Sequence, residues 1–86
     1  MELTLSGFKA LNREEQSCLA LMDGSCIGNR TEGSYQIFVY QLYSFYVEIY
    51  YNVGVVQAKK IKAFASTDHL KPYLHQIDIS KILGDL

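Results

Sequence analysis

Asp68 and His69 stand side by side in the segment TDHLKP, and two cysteines, Cys18 and Cys26, lie far upstream. These side chains are the best suited in the chain to nucleophilic or acid–base work, because an imidazole that titrates near neutrality can activate a thiol when an acid orients it. No nucleophile motif such as G-x-S-x-G accompanies them. Asp68 then reads more simply as an acid in the first turn of a helix, with His69 as a surface imidazole. The preferred expectation is a non-catalytic chain with no catalytic residue assigned. A small enzyme using Asp68 and His69 is the alternative, and it requires a concave pocket at His69.

Metal chemistry fits poorly. Zinc sites draw on two close ligand pairs, whereas Cys18 and Cys26 are eight residues apart and His69 and His75 six apart. No glycine-rich phosphate-cradling motif occurs, so no nucleotide cofactor, and no other, is expected. Lys59, Lys60 and Lys62, beside the rings of Tyr46 and Tyr50 on a neighbouring strand, match in outline the charge-plus-stacking recipe for single-stranded nucleic acid. A lysine-protected edge strand explains them as well. With 8 Lys+Arg against 9 Asp+Glu, a net charge of −1 supplies no attractive field, and the edge-strand reading is favoured.

These residues need elements to position them. The 86 residues suffice for one α+β domain, residues 1–86, with an ordinary globular composition of 49% hydrophobic and 20% charged side chains. In NREEQSCLALMDG, Asn12 caps a helix over 13–23, Glu15 completes a capping box, and Gly24 stops it. Cys18, Leu19, Leu21 and Met22 provide its apolar stripe, in which Cys18 reads as a small buried hydrophobe. Upstream, Leu3, Leu5, Phe8 and Leu11 fit either a short strand or a further helical turn. A short strand is expected around Cys26 and Ile27, then a turn over Thr31 to Ser34.

The stretch SYQIFVYQLYSFYVEIYYN is too long for one strand and too β-branched and aromatic for a loop. It predicts a hairpin turning at Tyr43-Ser44, which opposes Leu42 with Phe45, Tyr40 with Val47, Phe38 with Ile49 and Gln36 with Tyr51. Gly54 closes the next turn, and the pattern of VVQAKKIKAFA requires a β-bulge near Lys59-Lys60. The sheet is therefore an antiparallel meander of three to four strands. Two short helices follow: one capped by Ser66 or Thr67 and limited by Pro72, the other starting at Asp78 or Ser80.

SFYVEIYYN together with IKAFASTDHLKPYLHQIDIS, within residues 44–80, resembles a group of small bacterial proteins of unknown function. The resemblance implies a bacterial, cytosolic protein and brings no activity or site. Cytoplasmic localisation is also expected from an N-terminal stretch without a basic, then apolar, signal. No membrane span is expected, since Gln36, Gln41, Ser44 and Glu48 interrupt the longest apolar run. Cys18 and Cys26 are then expected as reduced thiols.

The hairpin sorts its side chains onto two faces. One carries Phe38, Tyr40, Leu42, Phe45, Val47, Ile49 and Tyr51 and should pack on the helices. The other holds Tyr35, Ile37, Val39, Tyr46 and Tyr50, more apolar than water tolerates uncovered. Its cover is either the C-terminal tail, through Ile77, Ile79, Ile82 and Leu83, or another protein chain. The expected function is a small interaction module that binds a protein partner or itself, possible as a homodimer, through Tyr35, Ile37, Tyr46, Tyr50, Lys59, Lys60 and Lys62. Nucleic-acid binding through the three lysines and the stacked tyrosines is the alternative.

Overall fold

A computed structural model describes residues 3–55 and 57–76. Helix α1 (Leu5–Lys9) begins at Thr4, whose side chain accepts from the Gly7 N–H, and so settles the first apolar residues as helical. Helix α2 (Arg13–Asp23) carries the predicted capping box: Asn12 accepts from the Glu15 N–H, and Glu15 accepts from the Asn12 N–H. The Gln16 side-chain amide donates to the Phe8 carbonyl at 3.0 Å and ties the two helices together.

Four strands follow in sequence order as an antiparallel meander: β1 (Ser25–Glu32), β2 (Tyr35–Leu42), β3 (Phe45–Asn52) and β4 (Ala58–Phe64). The β2–β3 register is the predicted one, with Leu42 opposite Phe45, Tyr40 opposite Val47, Phe38 opposite Ile49 and Gln36 opposite Tyr51. The β3–β4 pairing runs from Tyr50 opposite Lys60 to Tyr51 opposite Ala58, which leaves Lys59 as the extra residue of a bulge. This bulge lets Ala58, Ile61 and Ala63 share the helix side despite their mixed parity. Strand β1 is longer than the short element expected at Cys26-Ile27, because its turn needs only Gly33 and Ser34. Gly33 takes the positive φ of 60° at the first position of that turn.

The sheet has a core on each side. Phe8 and Ala20 of the helices meet Leu42, Phe45, Val47 and Ile49, with the Phe8 and Phe45 rings 5.3 Å apart. On the far side a 3-10 helix (Thr67–Tyr73), capped by Ser66, lays Leu70 and Tyr73 on Val39 and Tyr46. It comes close enough to β1 that a Cβ on Gly28 would sit 3.1 Å from the Tyr73 ring, so a side chain there would require the ring to give by a few tenths of an ångström. The second C-terminal helix expected from Asp78 or Ser80, and the tail cover through Ile77, Ile79, Ile82 and Leu83, lie outside the described residues. No helix among the described residues is long and apolar enough to cross a membrane.

Candidate functional site

The face expected to receive a partner is largely occupied from within the chain. Tyr46 and Tyr50 are 6% and 4% exposed and Ile37 is fully buried, so of that group only Tyr35 and the lysines reach solvent appreciably. The burial of these rings has a plain cause. Leu70 and Tyr73 of the 3-10 helix cover Tyr46, while Tyr35 stands edge-on to Tyr50 at 5.6 Å. Lys60 and Lys62 then place their ammonium groups over the Tyr50 ring, at 5.0 and 5.5 Å from its centroid.

That arrangement also bears on the nucleic-acid alternative. A stacking platform needs a bare ring face, and here the two lysines lie on it. Lys59 belongs to a different environment: it is the bulge residue, and its carbonyl accepts from the Arg13 guanidinium at 3.1 Å.

Beneath the 3-10 helix a polar network joins the two layers. Glu48, on β3 and 5% exposed, accepts a very short hydrogen bond from the Tyr73 hydroxyl and a longer one, 3.3 Å, from Arg30. Arg30 also donates to the Tyr73 hydroxyl at 3.1 Å and pairs with Glu32. Burial, then the bond to Glu48, pushes the Tyr73 phenol well above its ordinary range. Burial pulls the Arg30 guanidinium down, yet its bonds to Glu32 and Tyr73 outweigh this and raise it overall. The hydrogen bond and charge of Arg30 hold Glu32 below its usual value, helped by Lys62 and Lys60. Sequence reasoning missed this network, since Arg30, Glu48 and Tyr73 are separated from one another by 18 to 43 residues and only the Arg30–Glu32 pair is local.

A cleft of about 690 Å³ runs beside the network, with Glu48, Tyr50, Lys62, Phe64, Asp68 and His69 among its lining residues. His69 therefore does border a concavity, stacked 4.8 Å from the Phe64 ring. Among the described residues no serine, threonine or cysteine lines the cleft, and the Asp68 backbone N–H is held by the Ser66 side chain as a helix cap. Cys18 and Cys26 are both free thiols and sit elsewhere. No group of three or more potential metal ligands occurs among the described residues.

The open apolar surface lies on the helix side instead. The expected stripe of α2 divides: Leu19 and Ala20 turn toward the sheet, while Cys18, Leu21 and Met22 turn outward, Leu21 at 54% and Met22 at 76% exposure. Cys18 is thus exposed, contrary to its expected burial, because the packed face of α2 runs through Gln16, Leu19 and Ala20. Beyond the helix end of the sheet, Val53 and Val55 in the β3–β4 loop are exposed too, at 74% and 46%. Three shallow grooves connect these positions. Cys18 and Glu14 line two neighbouring grooves, and Tyr51 is shared between the second and a third that contains Phe38, Val53 and Val55. Shared residues thus link the three grooves into a ledge that takes in part of α2 and part of the sheet. No protein-family model matches the chain, nor does any curated protein or solved structure.

Proposed function

We propose that this chain is a non-catalytic protein-interaction module whose contact surface is the ledge formed by α2 and the uncovered end of the sheet. The observation that carries the reading is the clustering of Leu21, Met22, Val53 and Val55, all exposed, around grooves that share Cys18 and Tyr51. Single exposed hydrophobes are normal on any protein, but a connected set with ring-lined grooves matches the anatomy of a binding patch. Tyr51 and Phe38 offer flat area at low conformational cost, and Met22 supplies an adaptable side chain.

The aromatic far face remains part of this reading in a supporting role. Tyr46 and Tyr50 fix the 3-10 helix and the lysines in place, and the meander that carries them positions Tyr51 and Phe38 on the ledge.

Selection of a random displayed-peptide library on the full chain tests the proposal. Binders should be retained by the wild type and lost on Leu21→Ser/Met22→Ser. Both side chains are more than half exposed, so the substitutions should change stability by no more than about 0.5 kcal/mol each. Binders indifferent to that double substitution would place the contact surface elsewhere.

A further inference from the structure

We propose that the partner seated on the ledge is a protein segment in which apolar side chains are flanked by lysine or arginine, an inference that rests on the interaction reading above. The argument is charge complementarity. Glu14 lines two of the three grooves and Glu15 lines one of them, while Asp23, at the end of the same helix, accepts from the Tyr43 hydroxyl at 2.7 Å. Arg13, the one basic side chain on α2, lines the same groove as Glu14 and Leu21, with its guanidinium bonded to the Lys59 carbonyl at the bulge, so the acids outnumber the cations on this helix by three to one. The apolar strip of Leu21 and Met22 is therefore bordered along the helix by carboxylates.

A second copy of the chain meets this rim badly. An isologous pair sets the same patch against itself, so two α2 helices, each with three acids against the single cation Arg13, would face one another across a desolvated seam. A basic partner reverses that sign. Its hydrophobic residues fill the grooves at Cys18, Leu21 and Tyr51, and its cations reach Glu14 and Glu15 at the edge. Rim charges of this kind set association rate and partner choice more than they set total affinity.

The experiment is the same random-peptide selection, read for sequence and then for affinity by titration. Peptides whose binding depends on Leu21 and Met22 should be enriched in Lys or Arg next to Leu, Ile, Phe or Tyr. Glu14→Lys should weaken them roughly tenfold and Glu14→Gln by less, and added salt should weaken them further. Glu15→Gln preserves an acceptor for the capping box, so a loss there reports charge and not helix fraying. Helical circular dichroism of each variant confirms the fold.

Ledge-dependent binders that are neutral or acidic, or that ignore Glu14→Lys, overturn the basic partner while leaving the interaction surface intact. So does sedimentation of the protein alone as a dimer that Leu21→Ser/Met22→Ser dissociates. If no binder depends on Leu21 and Met22, both the partner and the surface fall.

Discussion

Glu48 is a carboxylate taken almost wholly out of water, and its survival there depends on two donors, the Tyr73 hydroxyl and the Arg30 guanidinium. An ionised group so placed costs several kcal/mol unless it is paired and hydrogen-bonded. Tyr73→Phe keeps the ring against Leu70, Val39 and Tyr46 but removes the shorter of the two bonds, so it should destabilise the protein by about 1–3 kcal/mol in urea unfolding. The same residue governs alkaline behaviour. Burial raises the Tyr73, Tyr46 and Tyr40 phenols above the ordinary 10.0, because their charged forms are the deprotonated ones. Their contribution is complete below about pH 10 and is lost as pH climbs through the raised folded values. The Tyr73→Phe protein should therefore lose stability less steeply than the wild type above about pH 10, and identical slopes would refute a protonated, bonded Tyr73. None of this could be read along the chain. Asn12 and Glu15 are legible because a capping box spans three residues, but Arg30, Glu48 and Tyr73 meet only after the sheet and the 3-10 helix have closed.

Among the elements, the hairpin was the most legible, since strand alternation and a fixed turn leave a single register that buries one apolar face. The β4 bulge followed from the same logic: Ala58 and Ile61 differ in parity, yet both pack on the helix side. Helix α2 was legible in its ends and not in its orientation. Five apolar residues in a row, from Cys18 to Met22, wrap too far around a helix for the pattern to say which become core, and Ala20, the smallest, is the one fully buried. The cover of the far face is legible only in part. Its tyrosines did need a cover, and the short segment holding Leu70 and Tyr73 provides one before the predicted tail residues are reached. Turn chemistry gives a direct test at this scale. No described side chain lies within 4 Å of a Cβ built on Gly33, so Gly33→Ala isolates the backbone cost of its positive φ and should destabilise by about 1–2 kcal/mol. Ser34→Ala, at the adjacent exposed turn position, should change stability by less than about 0.5 kcal/mol.

The meander leaves two sheet edges, and each is blunted by a different device. Along β1, the Gln76 amide accepts from the Asn29 N–H at 2.8 Å and donates to the Asn29 carbonyl at 2.6 Å, occupying backbone groups that an added strand would use. Along β4, the Lys59 bulge breaks the ladder, Arg13 takes the bulge carbonyl, and Lys60 and Lys62 place charge over Tyr50. Edge-to-edge pairing is thereby discouraged on both sides, which is consistent with the proposed contact surface lying on a face. If the lysines guard the edge, removing their charge while keeping strand propensity should open it. Lys60→Thr/Lys62→Thr should cost about 0.5–1 kcal/mol per lost cation–π contact and, independently of that loss, shorten the lag before thioflavin-positive aggregation several-fold. Leu21→Ser/Met22→Ser, made on the face, should leave that lag unchanged or lengthen it. An equal lag in the Lys60/Lys62 variant and the wild type, measured at matched fractions folded, would mean that the bulge and the Arg13 bond alone protect β4 and that the lysines serve Tyr50 only.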